Sequence, residues 1–149
     1  MPVNTHAKPR WYATPLLALG TFGFAAAWIM VALRYDRQFA WLAPLAAADM
    51  VLLLAAARHA PGMARAGWAF LATLATIMLA NFGIIAAQVG LGMGLLPWES
   101  ALKLGPDYAF ELARLALRPI DLGWLALGLV VAIAAGCRRW APSQRPTTR

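Results

Sequence analysis

Four apolar stretches, at 16–33, 39–57, 66–89 and 122–137, leave this chain little choice of environment. A helix needs about 20 apolar residues to cross ~30 Å of hydrocarbon. Inside a bilayer the backbone must satisfy its own hydrogen bonds, which a helix does within one segment. The expected fold is an all-α integral membrane protein, a single membrane domain over 1–149. Four transmembrane helices at about 14–33, 39–57, 66–89 and 119–137 form a bundle. Only 13% of residues are charged, about half the share in soluble domains, and no stretch between the runs is long and apolar enough for a core of its own.

Charge placement orients the bundle. The amino-terminal arm carries Lys8 and Arg10, the short link at 58–65 carries Arg58 and Arg65, and the tail carries Arg138, Arg139, Arg145 and Arg149, with no acid in any of the three. Four crossings put these segments on one side, and the positive-inside rule makes that side, with both termini, cytoplasmic. Every acid except Asp49 falls on the other side, in the 34–37 turn or the long connection at 95–121. The net charge of +7 thus reads as topology, not as a nucleic-acid footprint. Trp11, Trp41, Trp98 and Trp140 fall near expected helix ends, as interfacial aromatics do. Lys8 and Arg10 ahead of an apolar run also resemble a cleaved signal peptide, but the run continues to Leu33, which suits an uncleaved anchor better. Richness in alanine, arginine and tryptophan suggests a bacterial inner membrane, with the chain multi-pass.

The connection between the third and fourth spans is not expected to be irregular. Glu99, Lys103, Asp107, Glu111, Arg114 and Arg118 recur every three or four residues, one charged face of a helix at about 97–117. Leu102, Tyr108, Leu112 and Leu115 lie opposite, and Gly105–Pro106 divides the helix in two. An amphipathic helix on the outer membrane surface follows, with Glu99–Lys103 and Glu111–Arg114 able to pair along it. The glycines at 90, 92 and 94 are expected to fray the end of the third span, and the tail at 141–149 to be disordered.

Asp49 is the acid that falls inside a span. An ionisable residue there is costly and marks a functional hypothesis. Counting 1.5 Å per residue from the cytoplasmic end puts Asp49 about 13 Å deep, with Thr73 and Thr76 at about 12 and 16 Å. A hydroxyl cluster around the carboxyl group is therefore expected. Two readings follow: a proton- or cation-coupled site, helped by Pro44 if that residue interrupts the helix, or a structural carboxyl that glues helices together. Asn81 and Gln88 share one face of the third helix in its outer half, with Asp121 roughly level with Asn81. They form either a polar vestibule or ordinary interhelical hydrogen bonds. Gly128, Ala132 and Gly136 make a line of small residues on the last helix, Ala72, Thr76 and Ala80 another on the third, and Gly20, Gly23 and Ala27 supply the first. Such lines let helices approach closely, within one bundle or between copies.

Catalytic chemistry is thin. The two histidines, His6 and His59, lie at the cytoplasmic boundary, and neither Ser100 nor Ser143 has a histidine near it in sequence. Cys137 is the single cysteine, so no intrachain disulfide or cysteine-based metal cluster can form. No catalytic residue, cofactor or metal is expected. The expected partners are the lipid bilayer and either copies of the chain or a larger membrane complex. The leading expectation is a non-enzymatic subunit or assembly factor. An oligomeric proton- or cation-coupled carrier or channel using Asp49 comes second. A membrane enzyme acting on lipid through Glu99, Asp107 or Glu111 comes third.

Overall fold

The computed structural model describes residues 12–138; the expected disordered tail, Lys8, Arg10, Trp11, Trp140 and the last three arginines lie outside them. Five helices follow in chain order: α1 Ala13–Tyr35, α2 Leu42–Ala56, α3 Met63–Met93, α4 Pro97–Ala116 and α5 Pro119–Cys137. No strand occurs among the described residues. Three helices, α1, α3 and α5, are long and apolar enough to cross a membrane, and α2 is a shorter apolar helix of 15 residues. This is a helical membrane protein.

The apolar run at 39–57 is longer than the helix it forms. Phe39 at one end and Arg58 at the other adopt positive φ, 47° and 58°, which no α-helix continues through. What remains, Leu42–Ala56, is about 22 Å long. Pro44 sits in the first turn of α2, where its missing N–H breaks no helical hydrogen bond. It therefore opens the helix and does not interrupt it near Asp49.

Helix α3 departs from expectation the other way. It runs through Gly90 and Gly92 without fraying and ends at Gly94, whose φ of 67° lets the Leu95 N–H reach back to the Gly90 carbonyl at 2.9 Å. Gly90 is buried because the start of α4 lies on it: a β-carbon there would stand 3.1 Å from the Leu95 carbonyl oxygen and 3.3 Å from Ser100 Cβ. α4 then doubles back along the carboxyl-terminal half of α3, its sole helical neighbour among the described residues. Gly105, at φ 66° and ψ 160°, kinks α4 at the expected place.

The other four helices form two triangles that share an edge. α2 and α3 lie side by side at the centre, α1 packs on both from one flank, and α5 packs on both from the other. The interior is built from small side chains. Ala43, Ala46, Ala47, Ala69, Ala80 and Ala132 are fully enclosed, with Trp28, Met50, Leu54 and Ile84 as the large fillers. Small residues bring backbones close, which replaces the hydrophobic drive that lipid cannot supply between helices.

Candidate functional site

The last helix is fastened at two points. Gly128 lies against Ala43 of α2, where a β-carbon would stand 2.8 Å from the Ala43 carbonyl carbon. Gly136 lies against Ala66 of α3, with the Ala66 Cα at 2.6 Å from the same ideal position. Ala132, between them, has no exposed surface. The line of small residues on α5 thus faces the chain's own bundle. On α3, Ala72, Thr76 and Ala80 are buried in the same interior. On α1 the line splits. Gly20 packs under Leu53 and Met50 of α2, whereas Gly23 and Ala27 are exposed, with nothing within 4 Å of the Gly23 β-position.

Where α5 ends, Arg65 closes it. The residue is 5% exposed. Its Nε donates to the Gly136 carbonyl at 3.0 Å, and one terminal nitrogen donates to Ala135 and Arg138 at 3.2 and 2.7 Å. These carbonyls have no acceptor role left inside α5, and the carboxyl end of a helix attracts positive charge. Sequence reasoning used Arg65 only as a topological charge. One signal was available: Arg65 stands in the first turn of α3, where a cation opposes its own helix dipole and so wants a partner elsewhere.

A second tie lies at the α1–α2 turn. The Trp28 indole N–H donates to the Gln38 carbonyl at 3.0 Å, and Gln38 Nε2 donates to Asn81 Oδ1 at 2.7 Å. Asn81 Nδ2 donates to the Ile77 carbonyl of its own helix at 2.9 Å. Asn81 therefore holds the α1–α2 turn onto α3. Gln88, two helical turns further along α3, is exposed. The carboxylate of Asp121 accepts the Arg118 N–H at 3.1 Å at the start of α5. These three polar residues share no hydrogen bond.

Asp49 is the central residue of α2 and is half-buried. The enclosed face of α2 is Ala43, Ala46, Ala47, Met50 and Leu54. Asp49 lies off that face, in line with Leu45 and Leu52, which are 49% and 57% exposed. It makes no hydrogen bond and no ion pair with any described residue. None of the Thr21, Thr73 and Thr76 hydroxyls is hydrogen-bonded to it. Thr76 donates to the Ala72 carbonyl at 2.8 Å, Thr21 approaches the Met50 sulfur at 3.7 Å, and the enclosed Thr73 hydroxyl has no partner among the described residues.

The charged stripe is exposed at all six positions, Glu99, Lys103, Asp107, Glu111 and Arg114 on α4 and Arg118 just before α5. Glu111 and Arg114 pair at 4.0 Å, a contact worth a few tenths of a kcal/mol at such exposure. Glu99 instead accepts the Leu96 N–H at 3.3 Å and so caps α4, without an ion pair to Lys103. Leu102, Tyr108 and Leu115 are 74–85% exposed, because α4 meets α3 through smaller residues such as Ser100. Between α3, α4 and the start of α5 lies a groove of about 640 Å³, walled by Ile77, Phe82, Leu102, Phe110 and Leu125, with Asn81 its one polar side chain among the described residues.

No protein-family model, curated protein or solved structure matches this chain.

Proposed function

We propose that the chain crosses a bacterial inner membrane four times, with both termini cytoplasmic, and serves as a non-enzymatic subunit or assembly factor of a membrane complex. The observation that carries this reading is the disposition of polar groups. The bundle interior is closed by alanine and glycine contacts, and the buried Arg65, Thr76 and Asn81 are bonded within the chain. Asp49 and the apolar side of α4 face outward. Apart from the enclosed Thr73 and Ser100 hydroxyls and His59 Nδ1, the unspent groups lie on the flanks, which suits docking, and a closed interior offers one copy no route for a solute.

Four crossings are favoured by the position of α2. Packed between α1, α3 and α5, it shares the environment that those helices cross. Its 15 residues reach across with the turns that flank them, aided by local thinning of the bilayer. Cys137, the single cysteine and exposed, tests the orientation. A membrane-impermeant maleimide is expected to label it in inverted inner-membrane vesicles and not in intact spheroplasts; the reverse pattern would overturn the topology.

The functional reading is tested by purification from the native host in mild detergent, with mass spectrometry of proteins recovered at near-equal stoichiometry. A distinct membrane protein that stays bound through a high-salt wash is the expected result. Recovery of the chain alone, or only of copies of itself, would remove the subunit reading; a defined homo-oligomer would move an Asp49-coupled carrier to first place.

A further inference from the structure

The flank of α2 that carries Asp49 presents a carboxyl group with no ion-pair or hydrogen-bond partner among the described residues. Asp49 stands seven residues from either end of α2, about 10 Å from each. Leu45 and Leu52 lie on the same flank, four residues before and three after, and Ala48 and Ala56 beside them are exposed. That stripe of large and small apolar residues is the seam a second helix can pack against, and it places the carboxyl group at the centre of the contact.

In a second copy, no described basic residue stands near the middle of an apolar helix; on α4, Lys103 and Arg114 belong to the exposed charged stripe. The nearest basic residue of α1 is Arg34 in its last turn, α2 has none, and α5 has none. In α3 the basic residue is Arg65, buried and committed to three carbonyls of α5. A copy in the same orientation would set one Asp49 against apolar residues or against the other Asp49. Charges inside a membrane pair with one another or with polar backbone. We infer that the Leu45–Asp49–Leu52 flank of α2 docks a transmembrane helix of a different protein, one that carries a lysine or arginine near its centre. This inference rests on the subunit reading and names the partner's chemistry.

The test uses a defined probe. The purified full chain is reconstituted into vesicles with a synthetic leucine-rich transmembrane peptide bearing one central lysine, and association is read by energy transfer against an all-leucine peptide. The lysine peptide is expected to bind roughly tenfold more tightly, the scale of a polar contact between membrane helices. Asp49→Leu is expected to erase that difference, and Asp49→Asn to reduce it, with helix content and thermal unfolding unchanged by either. Equal binding of the two peptides, or a preference that survives Asp49→Leu in a folded chain, would overturn the inference. So would energy transfer between copies of the chain that Asp49→Leu abolishes, which would make a second copy the occupant. Failure of the subunit reading is seen separately, as a missing partner in the native purification; the peptide result does not depend on it.

Discussion

Arg65→Met is expected to lower stability by about 3 kcal/mol, a large share of what holds a small domain folded. The side chain reaches three carbonyls at the end of α5 through hydrogen bonds of 2.7–3.2 Å. A hydrogen bond to a charged group contributes about 1.5–3 kcal/mol. The three do not add in full, because they share one guanidinium and because water at the membrane surface takes over part of the acceptor capacity of the last turn. Methionine fills similar apolar space, so the loss is electrostatic and not a cavity. Arg65→Lys should recover only part of it, since an ammonium is a point charge that cannot fork between carbonyls in the guanidinium plane. Thermal unfolding in detergent, with helix content as the readout, measures both variants. An unchanged midpoint for Arg65→Met would show that the cap contributes nothing net. Labelling of Cys137, next to the capped turn, should also quicken as α5 loosens.

The second large effect lies on the same helix and has an internal control. Gly128→Ala and Gly136→Ala each add one methyl group where the neighbouring helix presents backbone atoms at 2.6–2.9 Å. Backbone cannot turn aside as a long side chain can, so α5 must shift outward. Overpacking of this kind costs about 1–3 kcal/mol per site. The sites are about 12 Å apart along the helix and should be close to additive. Gly23→Ala makes the same chemical change on α1, where nothing lies within 4 Å. It is expected to be neutral or slightly stabilising, because alanine restricts the unfolded chain. Unfolding midpoints of the three single variants and the 128/136 double decide the matter. A loss at Gly23 equal to that at Gly128 would mean that the approach of α5 to α2 and α3 is not what the glycines serve.

Much of the architecture was legible as pattern. Long apolar runs identify α1, α3 and α5, and the recurrence of charges every three or four residues identifies α4 with its break at Gly105. The length of α2 was less legible. Apolar composition extends over 39–57, but the positive φ of Phe39 and Arg58 belongs to turns that hydropathy does not mark. The end of α3 misled in the opposite sense: three glycines read as fraying, while Gly90 is the seat of α4.

The candidate site divides along the same line. Asp49 stands out from sequence, because a carboxyl group among apolar residues is costly wherever the helix turns it. Depth along each helix was also countable, since the rise per residue is constant. Rotation was not. Whether Asp49 points toward Thr73 and Thr76 or out along Leu45 and Leu52 depends on which neighbours enclose α2, and a chain of alanines has no strong apolar face to announce that choice. For the same reason sequence did not distinguish Gly128 and Gly136, which touch backbone, from Gly23, which touches nothing. Nor did it reveal that Arg65 would reach α5 or that Gln38 would reach Asn81, each through contacts across 43 residues or more. Apolar character, helical class and the position of each polar group along its helix are local consequences of composition and of 1.5 Å per residue. The direction each group faces, and so whether it is spent inside the bundle or left for another molecule, is set by close packing between helices distant in sequence.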